Sequence, residues 1–196
     1  MKVVGLTGGI ATGKSTAEKI LKELGAYVID ADKVVHNLYE KKEVLEEVRK
    51  YFPDAFVNDK LDKKKLASII FNDSQRRKVL ESIIHPKVTQ QIENWLKEVE
   101  KKDKDAIAIV SVPLMIETGS YKNYDKIILI YAPRELQIKR LINKGFTEEE
   151  AISRINAQMD IEEKRKFATF IVDNSGTIEN LKNQLTDIFL QLKIDC

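Results

Sequence analysis

Cysteine is nearly absent. The 196-residue chain has one, Cys196, at its final position. No intrachain disulfide can form, which suits a reducing, cytoplasmic setting, and Cys196 reads as an incidental terminal residue. Long apolar runs are missing too, with nothing near the about 18 residues that a membrane-spanning helix needs. The opening MKVVGLTGG lacks the charged region, long apolar core and cleavage site of a secretory leader. No charge sign dominates: 33 Lys and Arg face 31 Asp and Glu, a net charge of +2. That balance argues against nucleic acid or an acidic membrane as the main partner. Neither a repeat nor a low-complexity block is visible. What is there, 43% hydrophobic and 33% charged residues, suits a globular protein with one sizeable core and small insertions.

Five short apolar runs, residues 3–7, 27–29, 106–112, 126–131 and 170–172, read as buried parallel strands. Their neighbours read as helices: 14–24, closed by Gly25; 133–144; 147–166, opened by a capping box of Thr147 and Glu150; and 177–192. The first two strands lie close together in the chain. Residues 33–105 then intervene, mostly helical and far longer than one crossover helix. Helices are expected there at 66–72, 74–84 and 86–101, with Pro86 in the first position of the last. The expected fold class is α/β: a three-layer core on a five-stranded parallel sheet, carrying two helical insertions.

The strongest local signal is Gly8-Gly9-Ile10-Ala11-Thr12-Gly13-Lys14-Ser15, which matches G-x-x-x-x-G-K-[ST] between an expected strand and an expected helix. Glycines let backbone N–H groups converge on phosphate oxygens without Cβ clashes. The helix N-terminus adds partial positive charge. Lys14 is placed to reach the β- and γ-phosphates of ATP, and the Ser15 hydroxyl to ligate Mg²⁺.

Such a loop serves switches, motors and kinases alike. Asp173-Asn174-Ser175-Gly176 spells the D-x-x-G of a GTPase, but it follows the last strand, where no γ-phosphate sensor sits. Asn143-Lys144 resembles part of a guanine signature but lacks the acid two residues on, at Phe146. A motor-type ATPase ends an apolar strand in Asp, whereas the run 107–112 meets Pro113. A small-molecule kinase remains. Ligands of open α/β sheets bind beyond the carboxyl ends of the strands, and an acid after the second strand is placed to orient an acceptor hydroxyl.

Several stretches together resemble one family over nearly the full length: GLTGGIATGKST at 5–16, VIDADKVVH at 28–36, His85-Pro86, VPLMIE at 112–117, and the pair Gln137 and Arg140. That family is the dephospho-coenzyme A kinases. The resemblance implies transfer of the ATP γ-phosphoryl group, with Mg²⁺, to the ribose 3′-hydroxyl of dephospho-CoA. It implies a nucleotide-binding P-loop core (1–32, 102–133 and 168–196), a helical acceptor-binding insertion (33–101) and a helical lid (134–167). The family's phosphate loop maps on Gly8, Gly9, Ile10, Ala11, Thr12, Gly13, Lys14, Ser15 and Thr16, its base on Asp32 and its lid arginine on Arg140. Asn174 matches a family asparagine and is placed near the adenine. Lys144 stands where a second arginine is common, and Thr169 where an acid is common. Lysine keeps the charge but loses the bidentate fork.

The two acids of 28–33 separate on physical grounds. Asp30 is expected to cap the helix starting near Ala31, accepting backbone N–H bonds that hold it ionised and make it a poorer base. Asp32, in the first turn, is expected to take the acceptor proton. His36 is expected beside Asp32 or as surface decoration, and His85 as helix-start structure or an acceptor contact. Glu117 is expected to bond a polar end of the acceptor, and Leu114 and Met115 to fill the core. Arg154 and Gln158 share a helix face, where they touch ATP or remain solvated, and Trp95 anchors a helix. No obligate protein partner is evident. The competing readings are a nucleoside monophosphate kinase and, from a different class, a nucleotide-dependent switch.

Overall fold

The computed structural model describes residues 1–194; Cys196 lies outside them. Along the chain run β1 (Lys2–Gly8), α1 (Lys14–Glu23), β2 (Tyr27–Asp30), α2 (Ala31–Leu38), α3 (Lys42–Tyr51), β3 (Phe56–Val57), β4 (Lys60–Leu61), α4 (Lys63–Asn72) and α5 (Ser74–Lys102). Then come β5 (Ile107–Ser111), β6 (Lys126–Tyr131), α6 (Arg134–Asn143), α7 (Glu148–Asn156), α8 (Ile161–Lys164), β7 (Phe170–Asp173) and α9 (Ile178–Ile194). The chain forms two compact units. One holds Met1–Asp30 and the chain from Glu98 onward; the other holds Ala31–Lys97.

The first unit is a three-layer α/β core on a five-stranded sheet of order β2-β5-β1-β6-β7, with every pairing parallel. The strands read as continuous apolar runs because both sheet faces are covered. Val4, Leu6, Ile107, Ile109, Ile128, Ile130 and Val172 alternate onto one face, where α1 and α9 bury them with Leu21, Leu181 and Leu185. Gly5, Ala108, Val110, Ile127 and Leu129 take the other parity and are buried as well. All five strands lie where the apolar runs placed them, with ends shifted by a residue or less. Parallel strands put their carboxyl ends on one edge, so Gly8, Asp30 and Ser111 come together there: Asp30 stands in register with Ser111 and Leu6 with Ser111.

In the second unit Val34, Leu38, Val44, Val48, Phe52, Leu66 and Leu80 are buried. Arg76 grips Asp54 with two bonds of 2.7 Å and lies over the Phe52 ring at 4.8 Å. Asp62 caps α4, accepting from Lys64 N and Lys65 N. Two expectations change here. The hairpin of β3 and β4 interrupts a segment read as helical, turning through Asn58 and Asp59, both at positive φ (49° and 61°). Asn and Asp tolerate that conformation best among non-glycine residues. Next, α5 is one 29-residue helix with Pro86 inside, not two helices. Buried Ile83 and Ile84 hold it just before the proline, and Lys87 Nζ donates to the Ile83 carbonyl at 3.2 Å. Packing outweighs the local cost of the proline.

The segment 147–166 also divides. The capping box of Thr147 and Glu150 forms, but Ala157 ends α7, and Asp160 caps the short α8 by accepting from Glu162 N at 2.8 Å. Leu114 is 43% exposed, so only Met115, fully buried, serves the core.

Met115 sets a constraint on β1. A Cβ on Gly5 would lie 2.7 Å from Met115 Sδ and 3.0 Å from Ile127 Cδ1. Gly5→Ala is therefore expected to cost about 1–3 kcal/mol by overpacking. In denaturant titrations, Met115→Ala added to Gly5→Ala is expected to cost less than the sum of the single changes. Additive losses would show that the thioether does not fill the space over Gly5.

Candidate active site: a phosphate loop held by its carbonyls

The chain leaves β1 at Gly8, turns, and enters α1 at Lys14. Ala11 sits at φ 59° and Gly13 at φ 96°. At Gly13 a side chain is doubly excluded, because a Cβ would also lie 2.2 Å from Asn174 Nδ2. The turn sends the carbonyls outward, and each finds a donor. Gly8 O accepts from Lys164 Nζ (2.9 Å), Gly9 O from Thr12 Oγ1 (2.9 Å), and Ile10 O from Gln137 Nε2 (2.8 Å). Ala11 O accepts from Arg140 Nη1 (3.1 Å), and Thr12 O from Asn174 Nδ2 (2.8 Å). Gly13 O accepts the first helical bond, from Ala17 N (3.2 Å). A peptide whose carbonyl is fixed outward aims its own N–H the other way. With Ile10 N given to Gln158 Oε1 and Thr12 N to Gly9 O, the loop's other N–H groups make a concave nest of donors at the positive end of α1, the arrangement that binds phosphate.

Four of the side-chain donors come from beyond β6. Arg140, in the last turn of α6, also bonds the Asn174 carbonyl with Nη2. Its guanidinium spans the phosphate loop and the turn after β7. Asn174, expected near the adenine, spends its amide on Thr12. Of the pair expected to touch ATP or remain solvated, Gln158 accepts from Ile10 N at 2.9 Å, while Arg154 lies over the Phe146 ring at 4.4 Å. Glu117, expected to meet the acceptor, binds Lys164 Nζ at 3.1 Å and accepts from Met159 N at 3.3 Å; its Oε1 is buried without a partner. Thr169 joins the sheet, its hydroxyl accepting from Ile127 N at 3.0 Å. Asp30 ends β2, and Asp32 lies in the first turn of α2. The His36 ring stands 3.3 Å from Lys63 Nζ and 3.7 Å from Glu40. His85 is exposed within α5 and Trp95 half-buried on it.

Three important residues escaped the sequence reading. Lys164 is fully buried and donates to Gly8 O and Pro113 O as well as to Glu117. In the sequence it hides in the charged run 162–166; the one clue is its spacing of three from buried Ile161. Burial pulls its ammonium below the usual lysine range, against the opposing pull of Glu117. Glu18 (4% exposed) and Ser111 (0%) form the second group. Ser111 Oγ donates to Glu18 Oε1 at 2.6 Å, and Lys14 Nζ lies 2.7 Å from Ser111 Oγ and 3.2 Å from Glu18 Oε1. The clue was a carboxylate on the Ala17–Leu21 face of α1.

Ser15 is exposed in the first turn of α1 and offers a hydroxyl oxygen. Among the described residues no cluster of three or more His, Cys, Asp or Glu could hold a metal. Such a donor set fits Mg²⁺ that arrives on phosphates and keeps most of its waters.

A parallel sheet with this loop between its central strand and first helix defines a P-loop nucleotide-binding protein. The dephospho-CoA kinase family model matches residues 2–180. A dephospho-CoA kinase of Aquifex aeolicus is 42% identical over 198 residues, covering 100% of both chains. Among solved structures, a Thermus thermophilus protein superposes with a TM-score of 0.87 at 34% identity, covering 97% of each chain. The dephospho-CoA kinase of Campylobacter jejuni gives 0.75 at 32%, covering 98% of each. The chain belongs to the dephospho-CoA kinase family. Its activity is ATP- and Mg²⁺-dependent phosphorylation of dephospho-CoA, the last step of coenzyme A formation.

Removing Lys164 takes the cation from the part-buried Glu117 carboxylate and a donor from Gly8 O, while Pro113 O keeps Thr7 Oγ1 and Glu117 keeps Met159 N. Lys164→Met is expected to lower stability by about 3 kcal/mol. Adding Glu117→Gln is expected to return part of that loss in denaturant titrations. The folded state holds the Lys164 proton less tightly than the unfolded chain, so unfolding takes up a proton between the lowered value and the ordinary 10.5. The lysine's contribution to stability therefore rises with pH in that interval. A variant as stable as the parent would deny Lys164 its structural role.

Proposed function

We propose that the phosphoryl group goes to the ribose 3′-hydroxyl of dephospho-CoA and that the residues divide the work as follows. The loop N–H groups and Lys14 hold the ATP phosphates, and Ser15 contributes one oxygen to Mg²⁺. Asp32, two residues past the carboxyl end of β2, orients the acceptor hydroxyl and takes its proton. Phosphoryl transfer is loose, so orientation weighs more than early deprotonation. The residues 31–97 bind the acceptor, and 134–167 act as the lid. The enzyme works in the cytoplasm without an obligate protein partner. Among the described residues no helix is long and apolar enough to cross a membrane.

The observation that carries this reading is the loop whose carbonyls from Gly8 to Thr12 are all engaged. It gives Arg140 two tasks. Its charge lies beside the loop and meets the transferring phosphoryl, while Nη1 holds the loop at Ala11 O and Nη2 ties it to the turn at Asn174. Asp32 rests on the family resemblance and on its place after β2.

With Mg-ATP, dephospho-CoA is expected to gain one phosphoryl group by mass spectrometry, and nucleoside monophosphates none; phosphorylation of a monophosphate alone would overturn the acceptor. Asp32→Asn is expected to cut kcat by about 10²–10⁴ with little change in Tm, and Asp30→Asn to cut it less. The reverse order would identify Asp30 as the base. Arg140→Ala is expected to weaken ADP binding as well as turnover, because the loop loses a clamp; unchanged ADP affinity would leave Arg140 a role only in the transition state.

A further inference from the structure

In P-loop ATPases the strand beside the loop commonly ends in an acid. Here β5 ends in Ser111, and the carboxylate comes instead from α1, as Glu18. The contacts close a ring. Ser111 donates its one proton to Glu18 Oε1 (2.6 Å) and accepts from Lys14 Nζ (2.7 Å), which also reaches Glu18 Oε1 (3.2 Å). A serine hydroxyl has one donor and two acceptor sites, so both bonds are met at once. An exposed Lys–Glu pair four residues apart on a helix does little. This pair differs: Glu18 is 4% exposed and Ser111 fully buried, so the carboxylate has left water and needs both partners.

We propose that Glu18 is a positioning residue for Lys14. Acting with Ser111, it fixes the ammonium beneath the phosphate loop and shares its charge with the bound phosphates. Two consequences have opposite signs. In the ground state Glu18 competes with the phosphates for Lys14, which weakens nucleotide binding. In the transition state it keeps the ammonium from following the ground-state phosphate position, so the charge stays where the transferring group passes. A residue that merely supported the fold would move binding and turnover in the same direction.

The inference rests on Lys14 as a phosphate ligand, and the test separates the two. Glu18→Gln keeps the length and the bond from Ser111 but gives up the charge. By calorimetry its Kd for ADP is expected to fall roughly tenfold, the size of one hydrogen bond to a charged group, while kcat falls by a similar factor. In a Lys14→Met background the same change is expected to leave the ADP Kd unmoved, because the effect passes through Lys14. The double variant leaves no charge buried alone, so it remains a folded reference if Glu18→Gln loses stability. Should Lys14→Met alone leave the ADP Kd unchanged, the reading of Lys14 fails and the inference with it. Should Lys14→Met weaken binding while Glu18→Gln leaves Kd unchanged or raises it, the inference alone is overturned. An effect of Glu18→Gln that persists without Lys14 would also overturn it.

Discussion

A loop that offers its N–H groups to an anion must turn its carbonyls away, and those carbonyls must be bonded elsewhere. The rest of this first unit can be read from that constraint. Each carbonyl from Gly8 to Thr12 meets a side-chain donor, and four of those five side chains, Lys164, Gln137, Arg140 and Asn174, come from residues 137–174. An unmet buried carbonyl costs on the order of 1–3 kcal/mol. The loop's shape is thus not a property of its own eight residues. The chain after β6 helps to build the loop.

The same network explains two buried charges that would otherwise be liabilities. Lys164 answers Gly8 O and Glu117 together, tying α8 to the end of β1 and the loop after β5. Glu18 answers Lys14 through Ser111. In each case a charge taken out of water is matched by an opposite charge and further hydrogen bonds, the condition under which a buried pair is tolerated. Both groups touch the loop or its lysine, so the cost of burial falls on the part of the protein that must be rigid.

Much of this was legible in the sequence. Apolar runs marked all five strands, because a sheet covered on both faces demands continuous hydrophobicity. The G-x-x-x-x-G-K-S motif marked the loop, because glycine and a helix start are what its backbone needs. What could not be read were consequences of packing. Pro86 reads locally as a helix start, yet buried neighbours carry α5 through it. Asn58-Asp59 is a turn signal set inside helical surroundings. Lys164 looks like any solvated lysine in Glu162-Glu163-Lys164-Arg165-Lys166, and only the fold turns it inward. The family resemblance singled out Arg140 and Asn174, but not as the loop's scaffolding, since nothing in a sequence tells which carbonyl a side chain will meet.

The most direct test is the rigidity of the phosphate loop in nucleotide-free protein, read as backbone ¹⁵N order parameters of residues 9–13. If the carbonyl bonds preform the nest, these amides should show values of about 0.85, like the neighbouring strand and helix. Values below about 0.6 that rise only when ADP is added would contradict the account, because the nucleotide and not the surrounding side chains would then be shaping the loop.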